Sequence, residues 1–575
     1  MEIKIMDWIH DIFDDAPLAA LFLTVAFGYI IGKLKIGKFI LGGIAGTLIM
    51  GVIIGQLGID IPNGIKSMFF ALFIYAVGFQ GGPQFIQSLN LRSLNLLTSS
   101  FLMTVAGLAC VLVAAWMFNL DRGSAAGLAA GGLTQSAIIG TAGSAIQALP
   151  DASAAQKQIM ETNVAVGYAV CYIFGSLGPI IIVSWFIPMI MGWDIRKEAV
   201  ALAKKMGGGN AALEPGQFDA VRRVNTRFFN VDANCKALGK TTLEVDSDLD
   251  FASVEAIIQD GDKTEFTNDT VLKEGDIVAI TGRIPALEKS NGYFGKEAEA
   301  PDEMQLVEEH RELIVTNSEI AGKSLKDLRD NLPTEKSHGI FITGLKRMGH
   351  ALPLVAGLQL HKGDEMELTG RPVDLNRAQP HIGYKITAAK VTDFVFFGFG
   401  MFIGYLLGMI SFSIAGVPMT IGTGVGCLLS GLFFGWLRNV HPHFAALPSG
   451  ASNFLRDFGL AVFVGVVGIS AAPSFVSSIQ QYGVKLLLLG ACVTIIPQIV
   501  VFFISYYVLR VKNPIEALAA VMGGRSANPG FAALLEKAGN NTPVATFTIT
   551  YAIANIFLTL WGPVIIGIIS TNPTG

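Results

Sequence analysis

The sequence predicts an α-helical polytopic membrane protein. It is read as two inverted repeats of five transmembrane helices, each with a re-entrant or broken segment, around a central soluble α+β insert of two tandem small domains. Three observations carry this reading. The 575-residue chain is 51% hydrophobic, with a mean hydropathy of +0.53. Its flanks hold apolar runs long enough to span a bilayer, such as LLTSSFLMTVAGLACVLVAAWMF at 96–118. Of the 86 Asp, Glu, Lys and Arg residues, 57 fall between residues 196 and 390, and short motifs recur on either side of that charged block.

The repeats come first, because they constrain the spans. VGFQGGPQF (77–85) matches VGISAAPSF (467–475) at an offset of 390, and the same offset places TQSAIIG (134–140) on GRSANPG (524–530). GYIIG (28–32) resembles GYLLG (404–408), and YAVCYIFGSLGP (168–179) resembles YAIANIFLTLWGP (551–563) with one inserted residue. Four matches in the same order read as a duplication.

From the N-terminus, MEIKIMDWIHDIFDDAP is acidic and lacks a basic leader region, so no signal peptide is expected. Spans follow near residues 17–32, 39–57, 65–82, 95–118 and 162–190, then near 391–410, 419–437, 457–473, 485–508 and 543–570. Lys33, Lys35 and Lys38, Arg92, Arg196 and Lys197, Arg438, and Arg510 and Lys512 all follow alternate spans, which places their loops inside. Both termini are then outside and the insert is cytoplasmic. Five spans per half, an odd number, invert one half relative to the other, the common architecture of secondary transporters. The expected boundaries are 1–195 for the first repeat, 196–298 and 299–384 for the insert domains, and 385–575 for the second repeat.

Two apolar stretches remain, 123–147 with GGLTQSAIIGTAG and 515–539 with GGRSANPG. Full crossings would put the next basic residues on the wrong face, so both are read as broken segments entering from opposite sides. Non-helical backbone at membrane depth is tolerated where it is buried in protein or lines a watery cavity. At the offset of 390, Arg525 falls on Gln135. An arginine in the bilayer costs roughly 2.5–3.5 kcal/mol by insertion scales, so it needs a partner or a role. Its planar fork suits a carboxylate. The candidate substrate-binding residues are Thr134, Gln135, Ser136, Arg525, Ser526 and Asn528, with Gln80 and Ser470 along the path. Five of these have a structural alternative. Arg525 is otherwise a loop cation serving topology, Gln135 and Ser136 are interhelical hydrogen-bonding groups, and Gln80 and Ser470 are polar span ends. The GxxxG spacings at Gly42/Gly46, Gly51/Gly55 and Gly431/Gly435 read as close-packing devices.

The insert carries its own repeat. LGKTTLEV (238–245) resembles AGKSLKDL (321–328), and LKEGDIVAITGR (272–283) resembles LHKGDEMELTGR (360–371). Short β-branched runs at 277–281 and 313–316 alternate with turn signals. The GKT and GKS triplets are not phosphate-binding loops, because Asn234 and Asn317 stand where the motif needs glycine. With no catalytic motif and only the trivial His441/His443 spacing, neither an enzyme nor a metal or cofactor site is expected. Five scattered cysteines read as packing residues, and a net charge of −4 gives no sign of nucleic-acid binding.

With GYIIGKLKIGKFILGG (28–43), VGFQGGPQF, GGLTQS and GGRSAN in view, the chain resembles the aspartate–alanine exchanger family of bacterial transporters. The insert copies resemble the C-terminal regulatory module of potassium-transport regulators, an RCK-C-like domain. The resemblance implies a homodimeric antiporter of the bacterial cytoplasmic membrane, importing L-aspartate in exchange for L-alanine. It also implies a link to a cytosolic aspartate decarboxylase, and for the insert two roles stay open, binding of a small cytoplasmic effector or dimerisation. Other members resemble succinate exporters, so a dicarboxylate exchanger is the alternative, and an effector-regulated ion channel or cation transporter the third reading.

Overall fold

The structure is a computed structural model that describes residues 12–13, 15–36, 39–40, 42–88, 94–150, 152–206, 224–249, 252–259, 262–299, 306–331, 339–347, 350–385, 392–414, 417–441 and 444–569. Residues 1–11, Lys38, Arg92 and His443, all of which enter the sequence reading, lie outside these. The chain divides into two compact units. One comprises Met1–Ala199, Ala388–Ala538 and Pro543–Gly575, and the other Val200–Thr387 with Gly539–Thr542.

The first unit is mainly helical. In chain order it holds α1 (Pro17–Gly32), α2 (Gly43–Gly55), α3 (Asn63–Ser88), α4 (Leu94–Phe118), α5 (Arg122–Gly132), α6 (Ala137–Gln147) and α7 (Ala154–Ile181). After the insert come α8 (Phe394–Gly408), α9 (Thr423–Val440), α10 (Ser449–Phe503), α11 (Pro514–Gly524), α12 (Asn528–Ala538) and α13 (Thr542–Ile568). Six stretches are long and apolar enough to cross a membrane: Asn63–Pro83, Leu94–Phe118, Ala154–Met191, Ser449–Pro473, Phe475–Val508 and Thr542–Ile568.

The other four expected spans are shorter. α1, α2 and α8 have 16, 13 and 15 residues, and α9 has 18. At 1.5 Å per residue the first three reach only about 20–24 Å, against a hydrocarbon core of ~30 Å. The shortening has a local cause. Lys35–Ile36 pairs with Phe39–Ile40, and Ser411–Ile414 with Val417–Thr420, so the beginnings of two expected spans are extended ribbons. Gly42 and Gly422 then hold φ of +88° and +79° immediately before α2 and α9, a backbone that blocks extension of either helix backwards. A second difference lies in α10, where the connection expected at 474–484 is helical throughout. Pro473 and Pro497 lie inside this helix and remove donors from its hydrogen-bond ladder.

The short helices pack in pairs through glycine. A Cβ on Gly46 would meet the Gly28 carbonyl oxygen where α2 crosses α1, and one on Gly426 would meet the Gly404 carbonyl where α9 crosses α8. A Cβ on Gly431 or Gly435 would likewise strike the backbone of α3, and one on Gly51 or Gly55 that of α10. These spacings are close-packing devices, as small residues at helix crossings are in bilayers.

The second unit contains two five-stranded antiparallel sheets. Strands β1 (Val224–Asn230), β2 (Ala252–Gln259), β3 (Asp262–Thr264), β4 (Ile277–Arg283) and β5 (Glu297–Ala298) lie in the order β3-β2-β4-β1-β5. Strands β6 (Glu309–Val315), β7 (Ile340–Arg347), β8 (His350–Ala351), β9 (Glu365–Gly370) and β10 (Gly383–Lys385) lie in the order β8-β7-β9-β6-β10. The order is the same, and the repeated KEGD and HKGD turns use glycine alike, with Gly275 and Gly363 at φ +87° and +85°. The first sheet buries Phe229, Val254, Ile257, Val278 and Ile280. In the second, Arg347 makes a two-pronged ion pair with Asp364, 2.7 Å at each contact and nearly inaccessible to solvent.

Candidate functional site

Both breaks are built by the same backbone device. At the end of α5, Thr134 N–H donates to the Gly131 carbonyl and Gln135 N–H to the Ala130 carbonyl. At the end of α11, Ser526 N–H donates to Gly523 and Ala527 N–H to Met522. This pairing of a 5→2 and a 6→1 bond closes a helix with one left-handed residue. Here that residue is Thr134 (φ +55°) and Ser526 (φ +58°), where glycine is usual. A left-handed residue with a side chain stores on the order of 1 kcal/mol or more of strain, which the surrounding packing must hold.

This geometry corrects one expectation. The turns align Gly131-Gly132 with Gly523-Gly524, an offset of 392, so Leu133 rather than Gln135 occupies the place of Arg525. The paired glycines of GGLTQS and GGRSAN carry that register in the sequence. Gln135 corresponds to Ala527, so the polar groups at the two breaks come from different turn positions.

Arg525 is 1% exposed. Its Nη2 donates to the carbonyl of Gly132, the last residue of α5, and more distantly to the Gly175 carbonyl at 3.4 Å and Thr494 Oγ1 at 3.3 Å. The cation thus sits at the negative end of the half-helix leading into the other break. Thr494 Oγ1 also donates to Gly132, at 2.8 Å. The Arg525 Nε and Nη1 atoms are buried with no hydrogen-bond partner among the described residues. A guanidinium offers five donors, so this one retains capacity for an acceptor brought from outside.

The two breaks meet on α13. Gln135 Nε2 lies 3.3 Å from both the carbonyl and Oδ1 of Asn555 and 3.4 Å from Thr559 Oγ1, and Ser526 Oγ donates to Asn555 Oδ1 at 2.8 Å. Ser136 Oγ lies 3.0 Å from the hydroxyl of fully buried Tyr168. Thr134 turns back, its Oγ1 donating to the Leu133 carbonyl. Asn528 is exposed at the start of α12. The structure therefore joins Gln135 and Ser526 through Asn555 and seats Arg525 on the end of α5. The sequence reading misses Asn555, Thr494 and Tyr168. YAIANIF matched YAVCYIF as an apolar repeat, and the asparagine inside the second copy was the available signal.

Gln80 and Ser470 lie elsewhere. Gln80 Nε2 donates to Ser452 Oγ (2.8 Å) and Asn453 Oδ1 (3.0 Å), and its Oε1 accepts from Arg456 (2.8 Å). The carbonyl of Ser470 accepts from Gln158 Nε2 at 2.9 Å. Ser470 lines a cavity of about 350 Å³ that is walled by α3, α6, α7, α8, α9 and α10 and contains none of the break residues. Among its lining residues are Lys66 and Glu161, joined at 2.6 Å.

A family model described as "Predicted Permease Membrane Region" (Asp-Al_Ex) matches residues 20–189 and 396–567, one segment on each side of the insert. An "Uncharacterized transporter" of Francisella tularensis is 50% identical over 558 residues, covering 97% of this chain and 98% of that protein. Another, of Zymomonas mobilis, is 40% identical over 563 residues, covering 98% and 99%. An "Aspartate/alanine antiporter" of Tetragenococcus halophilus is 29% identical over 559 residues, covering 96% and 98%. No solved structure matches.

Proposed function

Because this chain belongs to the Asp-Al_Ex permease family, and is thus an integral membrane transporter, we propose that it is an electrogenic antiporter taking up L-aspartate in exchange for internal L-alanine. The observation that carries the reading is the buried guanidinium of Arg525, with two unpartnered donor atoms beside two helix breaks. The aspartate side-chain carboxylate is its occupant. Gln135, Ser526 and Asn555, joined to one another across the breaks, hold the groups that aspartate and alanine share. Thr134, Ser136 and Asn528 complete the set by backbone position, and Gln80 and Ser470 line the approaches from either end. The printed function of the 29% identical relative supports the substrate pair.

In this reading the halves 1–195 and 385–575 are inverted repeats, and the insert domains 196–298 and 299–384 are cytoplasmic, RCK-C-like, and take a small effector. Both termini are outside the cytoplasmic membrane, and two copies form a dimer. Exchange of a monoanion for a zwitterion moves one charge per cycle, about 2.3 kcal/mol per 100 mV. A cytosolic decarboxylase that turns aspartate into alanine consumes a proton, so uptake and decarboxylation together build a proton-motive force.

A dicarboxylate exchanger is the second reading. It is favoured by the absence of any carboxylate among the described hydrogen-bond partners of Arg525, Gln135 and Ser526, which leaves an ammonium group without a counterion at the breaks. Counterflow of labelled aspartate into proteoliposomes loaded with aspartate, alanine, succinate or buffer separates the two. Uptake against aspartate and alanine alone supports amino-acid exchange, and uptake against succinate alone supports the second reading.

A further inference from the structure

The cavity that holds Lys66 and Glu161 lies apart from the breaks. α6 begins beside Gln135 and Ser136, contributes Ile139, Gly140, Gly143 and Ser144 to the cavity wall, and ends at Gln147. At 1.5 Å per residue its eleven residues set Gln147, beside the ion pair, roughly 16 Å from the break, while the cavity wall itself begins at Ile139, about one turn from Ser136. Several other lining residues sit at helix ends. Lys66 is in the first turn of α3, Gly408 ends α8, and Gly422 and Thr423 begin α9. In the orientation argued from loop charge, all these ends belong to the outer face.

Inside this cavity the Lys66 and Glu161 side chains expose only 13% and 12% of their surface and meet at 2.6 Å. Gln147 Nε2 donates to the second oxygen of Glu161 at 2.8 Å, and Lys157 holds the Gln147 carbonyl at 2.8 Å, which fixes the carboxylate in place. A cation and an anion thus share one wall of a 350 Å³ space, with Ser144 and Gln158 nearby.

We propose that this cavity is a second binding site that takes the zwitterionic head of an α-amino acid before it reaches the breaks. Lys66 receives the α-carboxylate and Glu161 the α-ammonium. The incoming zwitterion replaces one ion pair with two and leaves the charge of the site unchanged, so neither Lys66 nor Glu161 is left buried and unpaired. A dicarboxylate satisfies Lys66 but presents its second anion to Glu161, and is rejected by like-charge repulsion. The site supplies the ammonium partner that the breaks lack. It rests on the amino-acid reading of the transport cycle and sharpens it, assigning head-group selection to the cavity and side-chain selection to Arg525.

The test uses the full chain in detergent and in liposomes, with labelled L-alanine, L-aspartate and succinate as probes. Glu161→Gln is expected to weaken equilibrium binding of alanine and aspartate at least tenfold while leaving succinate unchanged or tighter. The inverted pair, Lys66→Glu with Glu161→Lys, is expected to restore the thermal stability lost in either single variant without restoring alanine affinity, because the head group would enter reversed. Parallel loss of affinity for all three probes in Glu161→Gln, or full recovery of alanine binding in the inverted pair, would make Lys66–Glu161 a structural brace and overturn the proposal. Wild-type counterflow judges the transport reading separately. Alanine binding that depends on Glu161, in a protein that exchanges no amino acid, sinks the antiporter and keeps the site. Wild-type protein that fails to bind alanine sinks the site itself.

Discussion

The guanidinium of Arg525 donates to the carbonyl of Gly132, so the cation of one helix break seals the end of the half-helix that leads into the other. The contact joins residues 393 positions apart and uses only part of the arginine's donor capacity. A carboxylate arriving at Nε or at Nη1, which lie on different edges of the guanidinium, would therefore add a bond without breaking this one.

Arg525→Gln should lower aspartate counterflow by about 100-fold, since a buried hydrogen bond to a charged group is worth up to roughly 3 kcal/mol. Arg525→Lys should recover only a minor part, because an ammonium lacks the fork. Initial rates in proteoliposomes check both. Near-normal aspartate exchange by the glutamine variant would remove Arg525 from the site.

Asn555→Ala strips the shared acceptor from Gln135 and Ser526. Leaving such buried groups unpaired costs about 1–3 kcal/mol. The expected result is a KM for both amino acids raised on the order of tenfold, with helical circular dichroism unchanged. A variant with wild-type KM would mean that the breaks do not depend on α13.

Gly46→Val should be far worse than most single substitutions, because the new side chain meets the Gly28 carbonyl across the α1–α2 crossing. Loss of monodisperse protein in detergent is the expected readout. Gly58→Ala is the control, a glycine with open space around its Cβ but φ of +78°, and should cost only about 1 kcal/mol.

His361 in the insert is held neutral, its pKa pushed down to about 4 by burial, with Arg347 beside it acting in the same direction. The unfolded chain binds this proton near pH 6.5, so the stabilisation is complete above that pH. It is lost progressively as the pH falls towards 4, to a total on the order of 3 kcal/mol. The insert's unfolding temperature should drop across that window in the wild type and less steeply in His361→Asn. Identical pH profiles would show that another group carries the dependence.

Much of the architecture was legible because it is written in local chemistry. The apolar flanks, the charged insert and the Gly-Gly signals at both breaks follow from composition and from which residues tolerate a left-handed backbone. Thr134 and Ser526 mark the limit of that reading. The sequence marks both breaks, but the 390-residue offset of neighbouring motifs sets a register between them that differs by two residues from the one the turns adopt on their glycine pairs. The short α1, α2 and α8 show another limit. Hydropathy does not register the strand pairs and the left-handed Gly42 and Gly422 that cut helices short.

By itself the sequence determined that this chain is a membrane transporter with two apolar flanks, two interrupted helices and an insert of two small strand-bearing units. The flanks, the interruptions and the insert each depend on a pattern confined to a few dozen consecutive residues, and the family on short motifs spread along the chain. Only the tertiary structure decided that Arg525 rests on Gly132, that Asn555 ties Gln135 to Ser526, that Gln80 turns to Arg456, and that Glu161 pairs with Lys66 on the wall of a cavity. The reason is physical. Helices that are apolar on nearly every side carry no one-dimensional mark of which face meets which neighbour, and that choice is made by the fit of side chains and glycine gaps between helices.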